Sequence, residues 1–579
     1  MAGTLPRRRF LKLCTGGVVV LTGSMLGGCS VPSGETTGTS HRSTRAAGSP
    51  RGASPDFLPD LELRLIATQA SVQLLPGNPT SVWTYRAEVV QGDPASLETW
   101  PNSYLGPIIR TRTGQKIRVW FVNDLPEHAQ ISIIHWHGLH LPPDMDAHPR
   151  YAIRPGQSYV YEFTVTDRAG TYWFHPHPHE GTGRQVYQGL AGLLLVSDAD
   201  EDALGLPTGT ADVPLVIQDR TFDAHNQLVY LPTNEMDAAM QQVMGFLGER
   251  VLINGQSNNT LDVATRPYRL RLLNASNARI YKLAWNDGTP LHVIATDGGL
   301  LEHPLERPYV MVAPGERVEL WADFRRRDVG SQVTLESLTY EGAEGAEATH
   351  DMTSTHDMHA RSSSSASSKH APDAMGRPTT GTMDGMEHGS ATAAPPLGAP
   401  LTILKVRITS EVQDTTTLPA RLSTRTRLRG EDAINRDHPR TFTFTQPDMR
   451  WLINGRAFEI DSVMPDETVT RDTVEVWELI NALNDGETMH PQGMAHPFHI
   501  HGVQFQIISR EVLTELVAGW RSVHQGYIDD GWKDTVLLMP GERVKVVLKV
   551  PQYTGTFMIH CHNLEHEDVG MMRNYEVVA

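Results

Sequence analysis

The chain has 579 residues, 39% of them hydrophobic and 20% charged, an ordinary balance for soluble domains and enough chain to bury three or four separate cores. A formal net charge of -17 argues against nucleic acid as a partner and is compatible with attracting cations. Cysteine occurs only at 14, 29 and 561, which excludes a disulfide framework and a multi-cysteine zinc site.

The first stretch reads Arg7-Arg8-Arg9-Phe10-Leu11-Lys12, then an apolar run from Leu13 to Leu26, then Gly27-Gly28-Cys29. Two arginines ahead of Phe-Leu-Lys resemble a twin-arginine export signal, and Leu-Gly-Gly-Cys resembles a bacterial lipobox. The apolar run is brief for a membrane span. Residues 1–28 are therefore expected to direct export to the periplasm or cell surface, with lipidation of Cys29 as the only membrane attachment. Residues 29–56, rich in Ser, Thr, Gly and Pro, read as a flexible tether.

From about residue 60 the apolar runs are short, rich in Val, Ile, Leu and aromatics, and punctuated by Pro-Gly and Asn-Gly turns, the pattern of antiparallel sandwiches. A strand ending in asparagine recurs at Asn123, Asn274 and Asn481, and a Pro-Gly turn ahead of another strand recurs at Gly156, Gly315 and Gly541. Ile253-Asn254-Gly255 and Ile453-Asn454-Gly455 repeat a third feature. Three related Greek-key β-sandwiches, at 57–198, 211–342 and 399–579, are the simplest account, and the predicted fold class is all-β.

Within the first unit His135-Trp136-His137-Gly138 and Gly170-Thr171-Tyr172-Trp173-Phe174-His175-Pro176-His177 match His499-Ile500-His501-Gly502 and Gly555-Thr556-Phe557-Met558-Ile559-His560-Cys561-His562 in the third. Alternate residues of a strand share a face, so each His-x-His presents two imidazoles side by side. An isolated pair is more often surface chemistry or a satisfied core histidine. Four pairs at equivalent places in two related units predict eight imidazoles meeting across one interface, enough for a cluster of metal ions. The middle unit, with only His225, His292 and His303, is expected to act as a spacer, and His179 falls outside the pairs.

Residues 343–398 turn to Ser, Ala, Gly and Thr and carry Met352, Met358, Met375, Met383 and Met386 with His350, His356, His359, His370 and His388. The composition reads as an interdomain linker or, since thioethers bind Cu(I), as a copper-capturing insert.

The last stretch holds His560-Cys561-His562, His566 and Gly570-Met571, with His496 upstream. Thiolate, imidazole and thioether form a soft ligand set suited to copper, and two imidazoles, a thiolate and a weak axial thioether describe a blue-copper electron-transfer site. On a strand, His560 and His562 face one way and Cys561 the other, so one segment can serve two metal centres. The run His-Cys-His-x-x-x-His-x-x-x-Gly-Met resembles the C-terminal signature of multicopper oxidases, the family of laccases and bacterial cuprous oxidases. With the four His-x-His pairs, the resemblance covers nearly the whole chain after the tether.

That resemblance implies three cupredoxin-like domains and four copper ions. Residue by residue it implies His496, Cys561, His566 and Met571 at a type 1 copper and His135 and His499 at a type 2 copper. It also implies His137, His175 and His562 at one type 3 copper and His177, His501 and His560 at the other. Electrons would pass through Cys561 to dioxygen, and Asp146 and Glu567 match the acids that supply protons, although Asp146 in Pro143-Asp144-Met145-Asp146 could also be a turn residue. The insert before the third unit resembles that of copper-efflux oxidases, whose substrate is cuprous ion, and Met494 fits a thioether near the electron-entry site. Where some of those enzymes have an aspartate shortly before this methionine, this chain has Gln492. A laccase-like phenol oxidase, a ferrous or manganese oxidase, and a non-catalytic binding protein on the same fold are the alternatives. The expected partners are O2 and Cu(I) or a small phenolic or metal reductant, acting on a monomer.

Overall fold

The computed structural model describes residues 51–579 apart from 130, 233–234, 344–393, 425, 448–449 and 483–492. The export signal, Cys29, Gln492 and the methionines 352, 358, 375, 383 and 386 lie outside the described residues. Strands dominate and pair into six sheets, two to each of three sandwiches. In the first, a sheet ordered Thr80–Gln91, Leu61–Val72, Lys116–Asp124, Ser158–Thr164 faces one built from Leu97–Glu98, Ile108–Arg112, Gly192–Ser197, Gly170–Pro176 and Ile134–His137. Alternation explains why these segments are strands: Lys116–Asp124 buries every second residue, sending Ile117, Val119 and Phe121 into a core shared with Leu63, Trp136 and Phe174. The second and third sandwiches bury corresponding cores around Leu270, Leu272 and Leu320, and around Phe442, Trp477 and Phe498.

The sheets are not purely antiparallel, as the turn pattern predicts. Leu61–Val72 runs parallel to Lys116–Asp124, Asp212–Phe222 to Pro267–Asn274, and Arg440–Thr445 to Val474–Asn481. In the first sandwich the chain crosses to the other sheet through Ile108–Arg112 before returning, which is the crossover a parallel pairing requires.

Each recurring asparagine closes its own sandwich. Gly156, Gly315 and Gly541 donate their backbone N–H to the carbonyls of Asn123, Asn274 and Asn481 at 2.7, 2.9 and 3.0 Å. These glycines have φ of +83°, +87° and +69°, a conformation in which a Cβ would be strained. The buried asparagine side chains bond across the corner, Asn123 to the Ile153 carbonyl, Asn274 to those of Arg279 and Val312, and Asn481 to those of Met494 and Leu538.

Two expected boundaries move. Leu401–Ser410 is not the start of the third sandwich: it pairs with Gln332–Ser337 and with Thr260–Ala264 and buries Ile403, Leu404, Val406 and Ile408 in the second core. The third sandwich begins its sheets at Arg440–Thr445. The Met- and His-bearing segment thus interrupts two neighbouring strands of one sheet and does not join two domains; its change of composition mimics a domain boundary. Likewise residues 51–56 are not tether. The Ser54 N–H donates to the Glu162 carboxylate at 3.0 and 3.1 Å, and Val160 N–H donates to the Arg51 carbonyl.

Candidate metal centre

Strand register gathers the histidines. Ile134–His137 pairs with Gly170–Pro176 so that His135 faces His175, and His496–Ile500 pairs with Gly555–Cys561 so that His499 faces His560. The first and third sandwiches turn these edges toward each other, and all eight paired imidazoles are 0–1% exposed. Among the described residues the middle sandwich supplies no imidazole to this cluster, yet it touches it: a Cβ on Gly315 would lie 3.0 Å from the His562 ring.

Nitrogen by nitrogen, the cluster divides into three groups. Nε2 of His135 lies 3.2 Å from Nε2 of His499. Nε2 of His560 lies 3.0 Å from Nε2 of His501 and 3.3 Å from Nε2 of His177. Nδ1 of His137 lies 3.4 Å from Nε2 of His175, and the His562 ring centre is 5.0 and 5.3 Å from those two rings. Outward nitrogens fix most tautomers: Nδ1 of His135, His499 and His175 each point at a backbone carbonyl, of Asp146, Asp534 and Pro176, at 2.8–3.0 Å. With their protons on Nδ1, His135 and His499 confront each other with lone pairs, an arrangement that calls for a cation between them.

Burial, with the neighbouring imidazoles adding to it, holds His135, His137, His499, His501 and His562 well below the usual histidine range, and His175 falls to about 3. These six imidazoles are therefore neutral and ready to ligate at pH 7. Both ring nitrogens of His562 are buried without a hydrogen-bond partner, so the donors fit a metal cluster better than a hydrogen-bonded core.

The second group sits behind Cys561. Nδ1 of His496 and of His566 lie 3.4 and 3.6 Å from the Cys561 Sγ. Met571 is fully buried in the same core, and its backbone carbonyl accepts from Cys561 N at 3.1 Å. Burial pushes the Cys561 thiol up and holds His566 down at about 3, so only a bound cation would draw the thiol to thiolate here. Trp451 lies over the His566 ring with centroids 4.5 Å apart.

Both expected carboxyl groups reach the cluster. Asp146 Oδ2 is 3.0 Å from Nδ1 of His501, and burial pushes its carboxyl well above the usual range. Glu567 stands 3.2 Å from Nδ1 of His560 and 3.5 Å from Nε2 of His177. Burial drives its carboxyl up, but the flanking imidazoles outweigh this and hold it well below the ordinary value. Met494 is buried in the third core.

Some neighbours of the site escape a reading of the sequence. Asp534, within Lys533-Asp534-Thr535, contacts His137, and Arg317 pairs with Asp534. Glu565 accepts from Tyr230 and Asn277 of the middle sandwich at 2.8 and 2.7 Å. Helix Glu235–Met244 carries Met236, Met240 and Met244 on successive turns, 78%, 50% and 36% exposed, and its Val243 carbonyl accepts from His566 Nε2 at 2.9 Å. The i, i+4, i+8 spacing was available as a signal, but nothing local ties that helix to residue 566.

Two family models, both described as multicopper oxidase, match residues 80–201 and 433–579. The multicopper oxidase mco of Staphylococcus haemolyticus (strain JCSC1435) is 30% identical over 82% of this chain and 82% of its own length. The chain belongs to the multicopper oxidase family. The crystal structure of the McoA multicopper oxidase from Aquifex aeolicus superposes with a TM-score of 0.67 at 31% identity, covering 93% of this chain and all of that one. A relative under a different description, the cell division protein FtsP of Escherichia coli (strain K12), is 34% identical over 44% of this chain and 52% of its own. This multicopper oxidase is thus an oxidoreductase that uses O2, and its buried histidine clusters are consistent with the copper sites typical of the family.

Proposed function

We propose that this multicopper oxidase oxidises Cu(I) to Cu(II) in copper tolerance and passes the electrons to O2, giving water. In this reading it holds four copper ions: type 1 by His496, Cys561, His566 and Met571, and type 2 by His135 and His499. His137, His175 and His562, and His177, His501 and His560, hold the type 3 pair. Bound copper supplies one-electron transfer at Cys561 and oxygen reduction at the histidine cluster. The chain supplies the wire, since His560 and His562 flank Cys561, and the His560 Nδ1 lies 3.1 Å from the Cys561 carbonyl. It also handles protons: Asp146, whose carboxyl burial pushes up, is the proposed donor beside His501, and Glu567, a carboxylate between His177 and His560, is the proposed relay. Export through the N-terminal signal, to the periplasm or cell surface and with Cys29 as an optional anchor, belongs to the same proposal.

One observation carries the choice of substrate. Met236, Met240 and Met244, exposed residues with soft thioether side chains, follow one another along the helix whose Val243 carbonyl is bonded to the proposed type 1 ligand His566. Thioethers are soft ligands that select Cu(I), which is why the stripe favours a cuprous substrate over a phenol. Oxygen uptake driven by Cu(I) and by a phenol tests this, in the full chain, in one lacking 344–393, and in Met236→Leu/Met240→Leu/Met244→Leu. Selective loss of Cu(I) turnover in the triple variant supports the proposal, loss on the deletion alone moves substrate capture to the segment, and loss in neither favours a laccase-like, ferrous or manganese oxidase.

A further inference from the structure

Asp534 stands where the three sandwiches meet. Its Oδ1 lies 3.0 Å from Nε2 of His137 in the first sandwich. Arg317 of the second grips the same carboxylate, Nη1 at 2.8 Å from Oδ1 and Nη2 at 2.5 Å from Oδ2. Thr535 Oγ1 donates to Oδ1 at 2.9 Å and lies 3.2 Å from Nε2 of His137, where it is a weaker second acceptor. Asp534, Arg317 and His137 are all 0% exposed, and even a Cβ on Gly138 would come within 2.5 Å of Asp534 Oδ2. The remaining Arg317 donors are used as well, Nε on the Thr171 carbonyl and Nη2 on that of Asp297, so the guanidinium cannot swing away.

His137 uses its ring differently from its neighbours. His135, His175, His499, His501 and His560 each aim Nδ1 at an oxygen within 2.8–3.1 Å and so turn Nε2 inward. In His137 the carboxylate takes Nε2, and Nδ1 is the nitrogen 3.4 Å from His175 Nε2. A neutral imidazole carries one proton. Both Asp534 oxygens receive N–H groups from a guanidinium that stays charged, and Thr535 Oγ1 donates to Oδ1 as well, so toward His137 Asp534 acts as an acceptor. The proton therefore sits on Nε2 and the lone pair on Nδ1.

We infer that Asp534, clamped by Arg317, is the positioning residue that sets His137 in its Nε2–H tautomer and presents Nδ1 to the type 3 copper, so that this ligand is competent only when all three sandwiches are closed on one another. The inference rests on the copper assignment above for its consequence, but not for the tautomer itself.

Two measurements test it. In the copper-free full chain labelled with 15N-histidine, with His137 assigned by comparison with His137→Gln, the expected pattern is a protonated Nε2 and a bare Nδ1; the opposite tautomer overturns the inference. In the copper-loaded chain, Asp534→Asn gives its amide oxygen to Arg317 and turns its NH2 toward His137, inverting the ring's proton. Expected are copper binding at the histidine cluster weaker by roughly 10–100-fold and a disrupted type 3 signature in absorption and electron resonance, with the blue colour of the Cys561 site intact. An Asp534→Asn chain with full copper and unchanged spectra overturns the inference. A wild-type chain that shows the predicted tautomer but takes up no copper at the cluster sinks the functional reading instead.

Discussion

His566 donates from Nε2 to the backbone carbonyl of Val243, 2.9 Å away, and Trp451 Nε1 donates to the same oxygen at 2.9 Å. A helix of the second sandwich is thereby fastened to an imidazole that lies 3.6 Å from Cys561 in the third. The exposed methionines of that helix begin one residue from this junction, at Met244.

Replacing Met236, Met240 and Met244 together by leucine is expected to raise KM for Cu(I) about tenfold, some 1.4 kcal/mol of lost recognition, while leaving phenol oxidation unchanged. Leucine keeps the apolar volume and removes only the sulfur. Equal losses with both reductants would mean that the helix matters for structure and not for the substrate.

Cys561→Ser should abolish the blue absorption and reduce oxygen uptake to background with every reductant, while the histidine cluster still binds copper. The reason is that the buried Cys561 Sγ stands between His496 and His566 at 3.4 and 3.6 Å, and serine replaces its sulfur by a hard hydroxyl. Metal counting and visible spectra check this, and a colourless wild-type chain loaded with copper would contradict the assignment.

Glu567→Gln preserves shape but removes a group that can carry a proton between His177 and His560. Oxygen reduction is expected to slow by about 10²-fold or more, with reduction of the Cys561 site unaffected. Stopped-flow reduction followed by reoxidation separates the two halves, and an unchanged reoxidation rate would remove Glu567 from the proton route.

Acid should leave copper in place further than free histidine chemistry allows. Burial holds His175 at about 3 and His177 at about 4, so their lone pairs stay available well below the ordinary histidine value of 6.5. Copper per chain after dialysis is expected to be flat from pH 7 to about 5 and to fall below about 4. The same shifts carry a definite sign for folding without copper. Between 6.5 and about 3 the unfolded chain binds more protons at these imidazoles than the folded one. Their contribution to stability is therefore complete above 6.5 and lost as pH falls through the folded values. Copper loss already complete at pH 6 would contradict the buried geometry.

The corner asparagines offer a test of the framework. Asn123→Ala, Asn274→Ala and Asn481→Ala each strand buried backbone groups, and each is expected to cost about 1–3 kcal/mol. Asn274 satisfies two carbonyls and the Ser276 N–H, so its loss should be the most damaging. Urea midpoints of the copper-free chain measure this, and shifts below about 0.5 kcal/mol would mean the repeat is incidental.

Much of this protein was written locally. The alternation in Lys116–Asp124, the Pro-Gly turns and the His-x-His pairs depend only on neighbours a few residues apart, because strand geometry alone decides which side chains share a face. The histidines of the cluster could be picked out for the same reason. What the sequence could not decide were relations spanning hundreds of residues. Leu401–Ser410 looked like the start of a new domain because composition changes before it, yet hydrogen bonds to Gln332–Ser337 assign it to the second sandwich. Asp534 reads as one acid among many until folding sets it 3.0 Å from His137 and 2.8 Å from Arg317. The Met236 helix likewise acquires its place only through the contact of Val243 with His566. Local rules fix which residues face inward; which inward faces meet is settled by packing three sandwiches against one another, and that information resides in no single stretch of the chain.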